Sequence, residues 1–280
     1  MNRKLPVFFH IPKNAGTYVS NIVWFIMDTF WYKILWVKYN ENEQNFKGSL
    51  KNILIVNDKN HIIYRIYGYD HLSKKDNYDV EYSLDEFLNY INKGQFELFS
   101  IIIEAIGFNK HYDLLDKLTN FEFVKFAILR EPLSREYSLY NYLKGEYSNH
   151  ERNHNEIHSN SFEEYLNSEQ LGDSWLIRAM LNVHDNTILA DDHLNSIYKI
   201  LDTFELEDIK NTDKLINKVF MECYKLNLND INPDILRDNL INENINRNKK
   251  NERINDETLK CFKRKTKYEY KIYNRYVNFT

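Results

Sequence analysis

The stretch Pro6 to Phe30, PVFFHIPKNAGTYVSNIVWFIMDTF, constrains this chain more than any other. Val7, Phe8 and Phe9 form an apolar run of buried-strand length that breaks at Pro12. Lys13-Asn14-Ala15-Gly16-Thr17 follows, and then Val19, Ile22, Val23, Ile26 and Phe30 recur at helical spacing. The pattern predicts strand, tight turn, helix. A turn of that kind aims the first N–H groups of the helix, and the positive end of its dipole, at whatever sits above the strand end. Lys13 adds a full charge, Gly16 lets backbone approach closely, and Thr17 adds a hydroxyl. On these residues alone two readings stay open: a phosphate cradle, or an ordinary strand–loop–helix connection. The ATPase type of loop is disfavoured, because its Lys follows the last Gly and here Lys precedes Gly.

A second stretch favours the cradle. Phe123 to Leu129, FVKFAIL, is another apolar run of strand length, ending in Arg130-Glu131-Pro132. Proline suits the first turn of a helix, and Leu133, Tyr137, Tyr140 and Leu143 recur at roughly helical spacing. Arg130 is therefore expected at a strand's end, with Arg135 and Ser138 on one side of the next helix.

HIPKNAGT at 10–17 and LREPLSREYSLY at 129–140 resemble the two cofactor motifs of sulfotransferases that use 3′-phosphoadenosine 5′-phosphosulfate. Among these the resemblance is greatest to the carbohydrate sulfotransferases related to the heparan 2-O-sulfating enzymes. The second motif fits R-x-P-x-x-R-x-x-S-x-Y at every fixed position, through Arg130, Pro132, Arg135, Ser138 and Tyr140. Fainter similarity extends through SFEEYL at 161–166, the helix near 192–204 and the terminal INDETLKCFKRKTKYEYKIYNRY. The resemblance implies a three-layer, P-loop-like α/β sulfotransferase fold with a central parallel sheet. It implies that Lys13, Asn14, Ala15, Gly16 and Thr17 hold the 5′-phosphosulfate, and that Arg130 and Ser138 hold the 3′-phosphate. It also implies a carbohydrate or glycoconjugate acceptor.

Transfer of a sulfuryl group to a hydroxyl needs a base within hydrogen-bond reach of the nucleophile and positive charge on the leaving phosphate, which Lys13 supplies without a metal. Three residues compete as base. His111 lies close before the second motif, near where the 2-O-sulfating relatives carry a base His. Glu104, the one carboxylate interrupting the apolar run LFSIIIEAI at 98–106, resembles the Glu that serves the N- and 3-O-sulfating relatives, or is a strand-edge Glu facing water. His71 looks like part of a Gly-His motif but lies far upstream.

The rest of the chain fits a single domain over 1–280. An insertion over about 31–95 contains a hairpin, with strands at 52–56 and 61–69 around the polar turn 57–60. Ser83 with Glu86, and Ser161 with Glu164, have capping-box spacing. Helices are expected over 83–93, 112–118, 172–182, 192–204, 212–227 and 256–276, so the part from about 160 onward reads as helical. His150, His154 and His158 share a spacing that can ligate metal, yet they lack the apolar stripe that would hold a helix, and a mobile loop facing the acceptor is the better reading. Asn242 to Asn255 is polar and basic. A solvated loop is the plain reading, and the resemblance makes Arg247, Lys249, Lys250 and Arg253 candidates for nucleotide phosphates.

A net charge of −4 gives no general attraction to nucleic acid or acidic membranes. No apolar run approaches the ~18–20 residues of a membrane span. Two distant cysteines, Cys223 and Cys261, fit neither a disulfide framework nor a metal site, and a cytoplasmic enzyme is expected. Two other functions compete with the transferase reading: a nucleotide-dependent small-molecule kinase, and a non-catalytic nucleotide- or glycan-binding protein of the same fold.

Overall fold

A computed structural model describes residues 3–11, 13–16, 18–20, 22–23, 34–38, 53–57, 61–66, 97–104, 115–116, 118–144, 159–168, 173–181, 183–184, 186–227 and 254–277. The strands are β1 (Arg3–His10), β2 (Ile34–Lys38), β3 (Ile53–Asn57), β4 (His61–Ile66), β5 (Glu97–Glu104), β6 (Phe121–Leu129) and β7 (Glu205–Asp208). They form one seven-stranded sheet in the order β2-β3-β4-β5-β1-β6-β7. From β4 through β5, β1 and β6 to β7 every pairing is parallel, and only the β2–β3–β4 edge is antiparallel.

Parallel strands covered on both faces read as unbroken apolar runs, which is why β1, β5 and β6 stand out in the sequence. Alternation sorts them. Leu5, Val7, Phe9, Ile101, Ile103, Ala127 and Leu129 face one side, and Phe8, Ile102, Val124, Phe126 and Ile128 the other. The helices are α1 (Pro132–Leu143), α2 (Phe162–Asn167), α3 (Trp175–Leu181), α4 (Asp191–Leu201), α5 (Thr212–Tyr224), α6 (Asp256–Lys265) and α7 (Lys267–Tyr276). Leu176, Ile177 and Met180 of α3, Leu194, Ile197 and Leu201 of α4, and Tyr268 and Ile272 of α7 cover the first face. Leu215, Ile216, Val219 and Phe220 of α5, with Val19, Ile22 and Val23 after β1, cover the second. The result is an α/β arrangement of three layers. A smaller cluster of Tyr140, Phe162, Tyr165, Leu166 and Phe262 joins α1, α2 and α6.

Several expectations change. The hairpin at 53–66 joins the main sheet: β4 pairs in parallel with β5, and β2 adds a strand beyond β3. The C-terminal part is not all helical, because β7 extends the sheet beside β6. Its sequence, ELED, is that of a half-exposed edge strand with no apolar run to announce it. The helix expected over 256–276 is two, α6 and α7, divided at Thr266, whose hydroxyl and N–H both donate to the Phe262 carbonyl at 2.9 Å. The box at Ser161 is half formed. Ser161 Oγ accepts from Glu164 N–H, while the Glu164 carboxylate takes the N–H of Asn160 instead of that of Ser161. The helix expected over 83–93 lies outside the described residues. No helix among the described residues is long and apolar enough to cross a membrane.

Candidate anion-binding site

β1 lies between β5 and β6, and the chain leaves it for one side of the sheet before returning on the other. Ligands of open α/β sheets bind at such a point, outside the carboxyl ends of the strands. The loop that follows β1 sits there. Lys13 (φ 65°) and Ala15 (φ 61°) both adopt the left-handed conformation, which costs non-glycine residues on the order of 1–2 kcal/mol each. Asn14, between them and 3% exposed, supplies what offsets that cost. Its side-chain nitrogen donates to the Ile128 carbonyl on β6 at 2.9 Å, and its N–H donates to the Ile11 carbonyl at 3.1 Å. Asn14 Oδ1 is buried and makes no hydrogen bond among the described residues.

Ala15 carbonyl accepts from Val19 N–H at 2.9 Å, so a helix begins at Gly16 with its positive end toward the loop. Packing alone requires glycine there. A Cβ on Gly16 would lie 1.7 Å from His10 Nε2, inside the imidazole of the last β1 residue.

Arg130 follows the last residue of β6, as its place in the sequence predicts. Its Nη1 donates to the Lys13 carbonyl at 3.1 Å and its Nε to Ser134 Oγ at 2.9 Å. The two sequence motifs therefore meet in one hydrogen bond. Both of these bonds go to neutral oxygens, and among the described residues no carboxylate pairs directly with Arg130. Burial lowers the Arg130 pKa, although Glu131 and Asp208 act on it in the opposite direction from a distance. Lys13 is lowered to about 8, first by burial and then by the like charge of Arg130. Two half-buried cations held together in this way favour an anion between them.

α1 is built around this corner. Glu131 caps it, its carbonyl accepting from Arg135 N–H at 2.9 Å and its Oε2 from Ser134 N–H at 2.7 Å, and Pro132 takes the first helical position. Ser134 and Ser138 are one turn apart on one face. Ser138, 4% exposed, has a buried hydroxyl with no hydrogen-bond partner among the described residues.

Arg135 is different. Its Nη2 pairs with Glu136 Oε1 at 2.5 Å and Glu269 Oε2 at 2.8 Å, and its guanidinium lies over the Trp175 ring. It is buried, and its charge is already matched by carboxylates, so this motif residue ties helices together and is not available to an anion. Tyr140 is likewise packed against Phe162 and Tyr165 in the α1–α2–α6 cluster.

Of the candidate bases, Glu104 ends β5 and is paired in register with His10, at the same carboxyl edge as the Lys13 loop. His111 and His71 lie outside the described residues, as do Thr17, His150, His154, His158, Arg247, Lys249, Lys250 and Arg253. Among the described residues no group of three His, Cys, Asp or Glu side chains is placed to hold a metal ion.

Sequence reasoning missed the far wall. Tyr270 and Tyr273 of α7 donate to Glu131 Oε1 at 2.5 Å and Asp208 Oδ2 at 2.6 Å. The only available signal was their spacing of three within a tyrosine-rich helix, which also fits an ordinary packed face.

No family model matches the chain, and no curated protein matches it. What fold and site define together is an α/β protein with a cationic cradle at the carboxyl ends of its parallel strands.

Proposed function

We propose that this cradle binds the phosphates of 3′-phosphoadenosine 5′-phosphosulfate and that the chain transfers its sulfuryl group to a hydroxyl of a carbohydrate acceptor. One observation carries the reading: Arg130 of the second motif donates to the backbone of Lys13 in the first, joining two half-buried cations with no carboxylate paired directly to Arg130. The residues fit the group. Lys13 and the helix beginning at Gly16 suit the 5′ end. Arg130, with the unpartnered Ser138 hydroxyl one turn beyond Ser134, suits the 3′-phosphate. The bound nucleotide supplies an activated sulfuryl group on a phosphate leaving group.

With that group held by Lys13, Arg130 and Ser138, transfer would join the acceptor oxygen to sulfur as the bond from sulfur to the bridging phosphate oxygen is released. The acceptor proton passes to a base, and adenosine 3′,5′-bisphosphate is the other product. Lys13, charged at neutral pH, stabilises the negative charge that grows on the leaving phosphate. Glu104 and His111 are the proposed bases, and the position of Glu104 beside His10 at the carboxyl edge favours Glu104.

A kinase is the second reading, because Asp208 ends a strand at the same edge, where a magnesium-binding carboxylate would be expected. Both its oxygens are engaged, however, by Tyr273 OH and Lys210 N–H, and β7 is separated from β1 by β6. Calorimetric titration with adenosine 3′,5′-bisphosphate, adenosine 5′-phosphate and magnesium-ATP separates the two. The transferase reading expects tight binding of the bisphosphate, weakened at least about tenfold in Arg130→Ala, as for loss of a charge-assisted contact. Preference for magnesium-ATP, or no nucleotide binding, overturns it.

A further inference from the structure

Arg130 is flanked by two carboxylates, yet pairs with neither. Glu131 is its neighbour in sequence, and Asp208 ends the adjacent strand β7, in register with Leu129. Both carboxylates act on Arg130 electrostatically. Either, if turned toward the guanidinium, would form an ion pair, and an anionic ligand would then have to compete with it.

Each carboxylate is instead turned to α7. Glu131 Oε1 accepts from Tyr270 OH at 2.5 Å while Oε2 caps α1 at Ser134 N–H. Asp208 Oδ2 accepts from Tyr273 OH at 2.6 Å while Oδ1 accepts from Lys210 N–H at 2.9 Å. Every carboxylate oxygen is thus occupied by a neutral donor, and Arg130 keeps its charge for something else. The two tyrosines are three residues apart on α7 and so reach the site from the same side of one helix. α7 is itself held by the Ile272 and Tyr268 core contacts and by the buried Glu269–Arg135 pair. The arrangement uses two part-buried hydroxyl–carboxylate bonds that an ordinary packed helix face does not need.

We propose that Tyr270 and Tyr273 are positioning residues of the anion site: they hold Glu131 and Asp208 away from Arg130 and so keep the guanidinium open to a phosphate or sulfate group. This rests on the anion-binding reading of the Lys13–Arg130 cradle. Removing a tyrosine hydroxyl frees a carboxylate to neutralise Arg130, and the site closes on itself without losing its fold.

The test uses calorimetry with adenosine 3′,5′-bisphosphate, and with inorganic pyrophosphate as a second probe free of the nucleoside. The proteins are the wild type, Tyr270→Phe, Tyr273→Phe, and the doubles Tyr270→Phe/Glu131→Gln and Tyr273→Phe/Asp208→Asn. Each amide retains an acceptor oxygen for the backbone N–H that its carboxylate caps. Each single variant is expected to bind both probes about tenfold more weakly, the order of a competing charge-assisted contact. Each double is expected to regain wild-type affinity, because the competing charge is gone. Thermal unfolding of all five proteins reads stability separately. Unchanged affinity in the single variants, or a loss that the amide substitution does not rescue, refutes the proposal and shows the tyrosines to be structural. Failure of the wild type to bind either probe refutes the anion site and this inference with it.

Discussion

Arg135→Met is expected to remove about 3–5 kcal/mol of stability, the cost of stripping one partner from a buried charge network. The Arg135, Glu136 and Glu269 side chains are only 7%, 6% and 2% exposed. The substitution leaves two carboxylates facing one another in a site sized for a cation. Among the described residues, Glu269 would retain only the Leu176 N–H at 3.0 Å, and Glu136 only Tyr165 OH at 3.2 Å. Because domains are held by about 5–15 kcal/mol in total, the loss takes a large share of what the chain has.

The pH dependence is the sharper part. Burial pushes the Glu269 carboxyl up, and Arg135 is the largest influence opposing that shift. Without Arg135 it rises further above the ~4.3 of an unfolded glutamate. Between those two values the folded chain binds a proton that the unfolded chain does not, so acidification stabilises the fold. Relative to wild type, Arg135→Met should therefore recover stability as pH falls from neutral toward the unfolded glutamate value, and Arg135→Met/Glu269→Gln should recover part of it at neutral pH. Arg135→Lys, which keeps charge but not the fork, should fall between. Guanidinium unfolding at several pH values measures all four proteins. A deficit under about 1 kcal/mol at neutral pH, or one that widens on acidification, would refute the assignment of this cluster as a matched buried network.

In Gly16→Ala the new Cβ meets the His10 ring at 1.7 Å, so the imidazole must leave its place; a loss of about 1–3 kcal/mol is expected by thermal unfolding. Bisphosphate affinity should decline as pH rises past about 8, where Lys13 loses its proton, with a bound anion moving the window upward; in Lys13→Arg the decline should vanish, as calorimetry across pH would show. The empty protein should behave in the opposite sense over the same range. With Lys13 at about 8 when folded and near ~10.4 when unfolded, stability gains between those values, and Lys13→Met should abolish the gain in denaturant titrations. Phe220→Ala, at a residue 0% exposed where α5 meets the sheet, should cost about 3–5 kcal/mol by denaturant unfolding while leaving bisphosphate affinity in the folded protein unchanged.

What the sequence revealed follows from burial. β1, β5 and β6 are central strands covered on two sides, so their apolar runs are continuous and their ends fall where polar side chains begin, at His10, Glu104 and Arg130. β7 was illegible because an edge strand with one bonded side needs no such run, and Glu205, Leu206 and Glu207 are only half buried. The break at Thr266 was hidden in a stretch whose composition suits helix on either side. Arg135 enters the sequence reading only as a fixed position of the second motif, with no ligand assigned to it. Its actual partner Glu269 is 134 residues away, and a single sequence carries no trace of that contact. Gly16 stands out in the sequence as a point of close backbone approach, while its contact with the His10 ring could not be seen without that side chain in place.

The geometry of the cradle is set less by the loop than by strand register. Phe8 pairs with Phe126 and Phe9 with Ala127, which puts Ile128 where Asn14 can take its carbonyl and Arg130 where it can reach Lys13. A slip of one residue would turn Phe126 and Ile128 from the α5 side to the α3–α4 side, and the alternating faces of the core forbid it. The loop's left-handed residues are held by the Asn14 hydrogen bond to Ile128, and Arg130 adds to that hold by taking the Lys13 carbonyl. Hydrophobic alternation in β1 and β6 is thus what brings two cations together against their mutual repulsion. The energy for that comes from the buried sheet, and an anion arriving at the strand ends would relieve the repulsion.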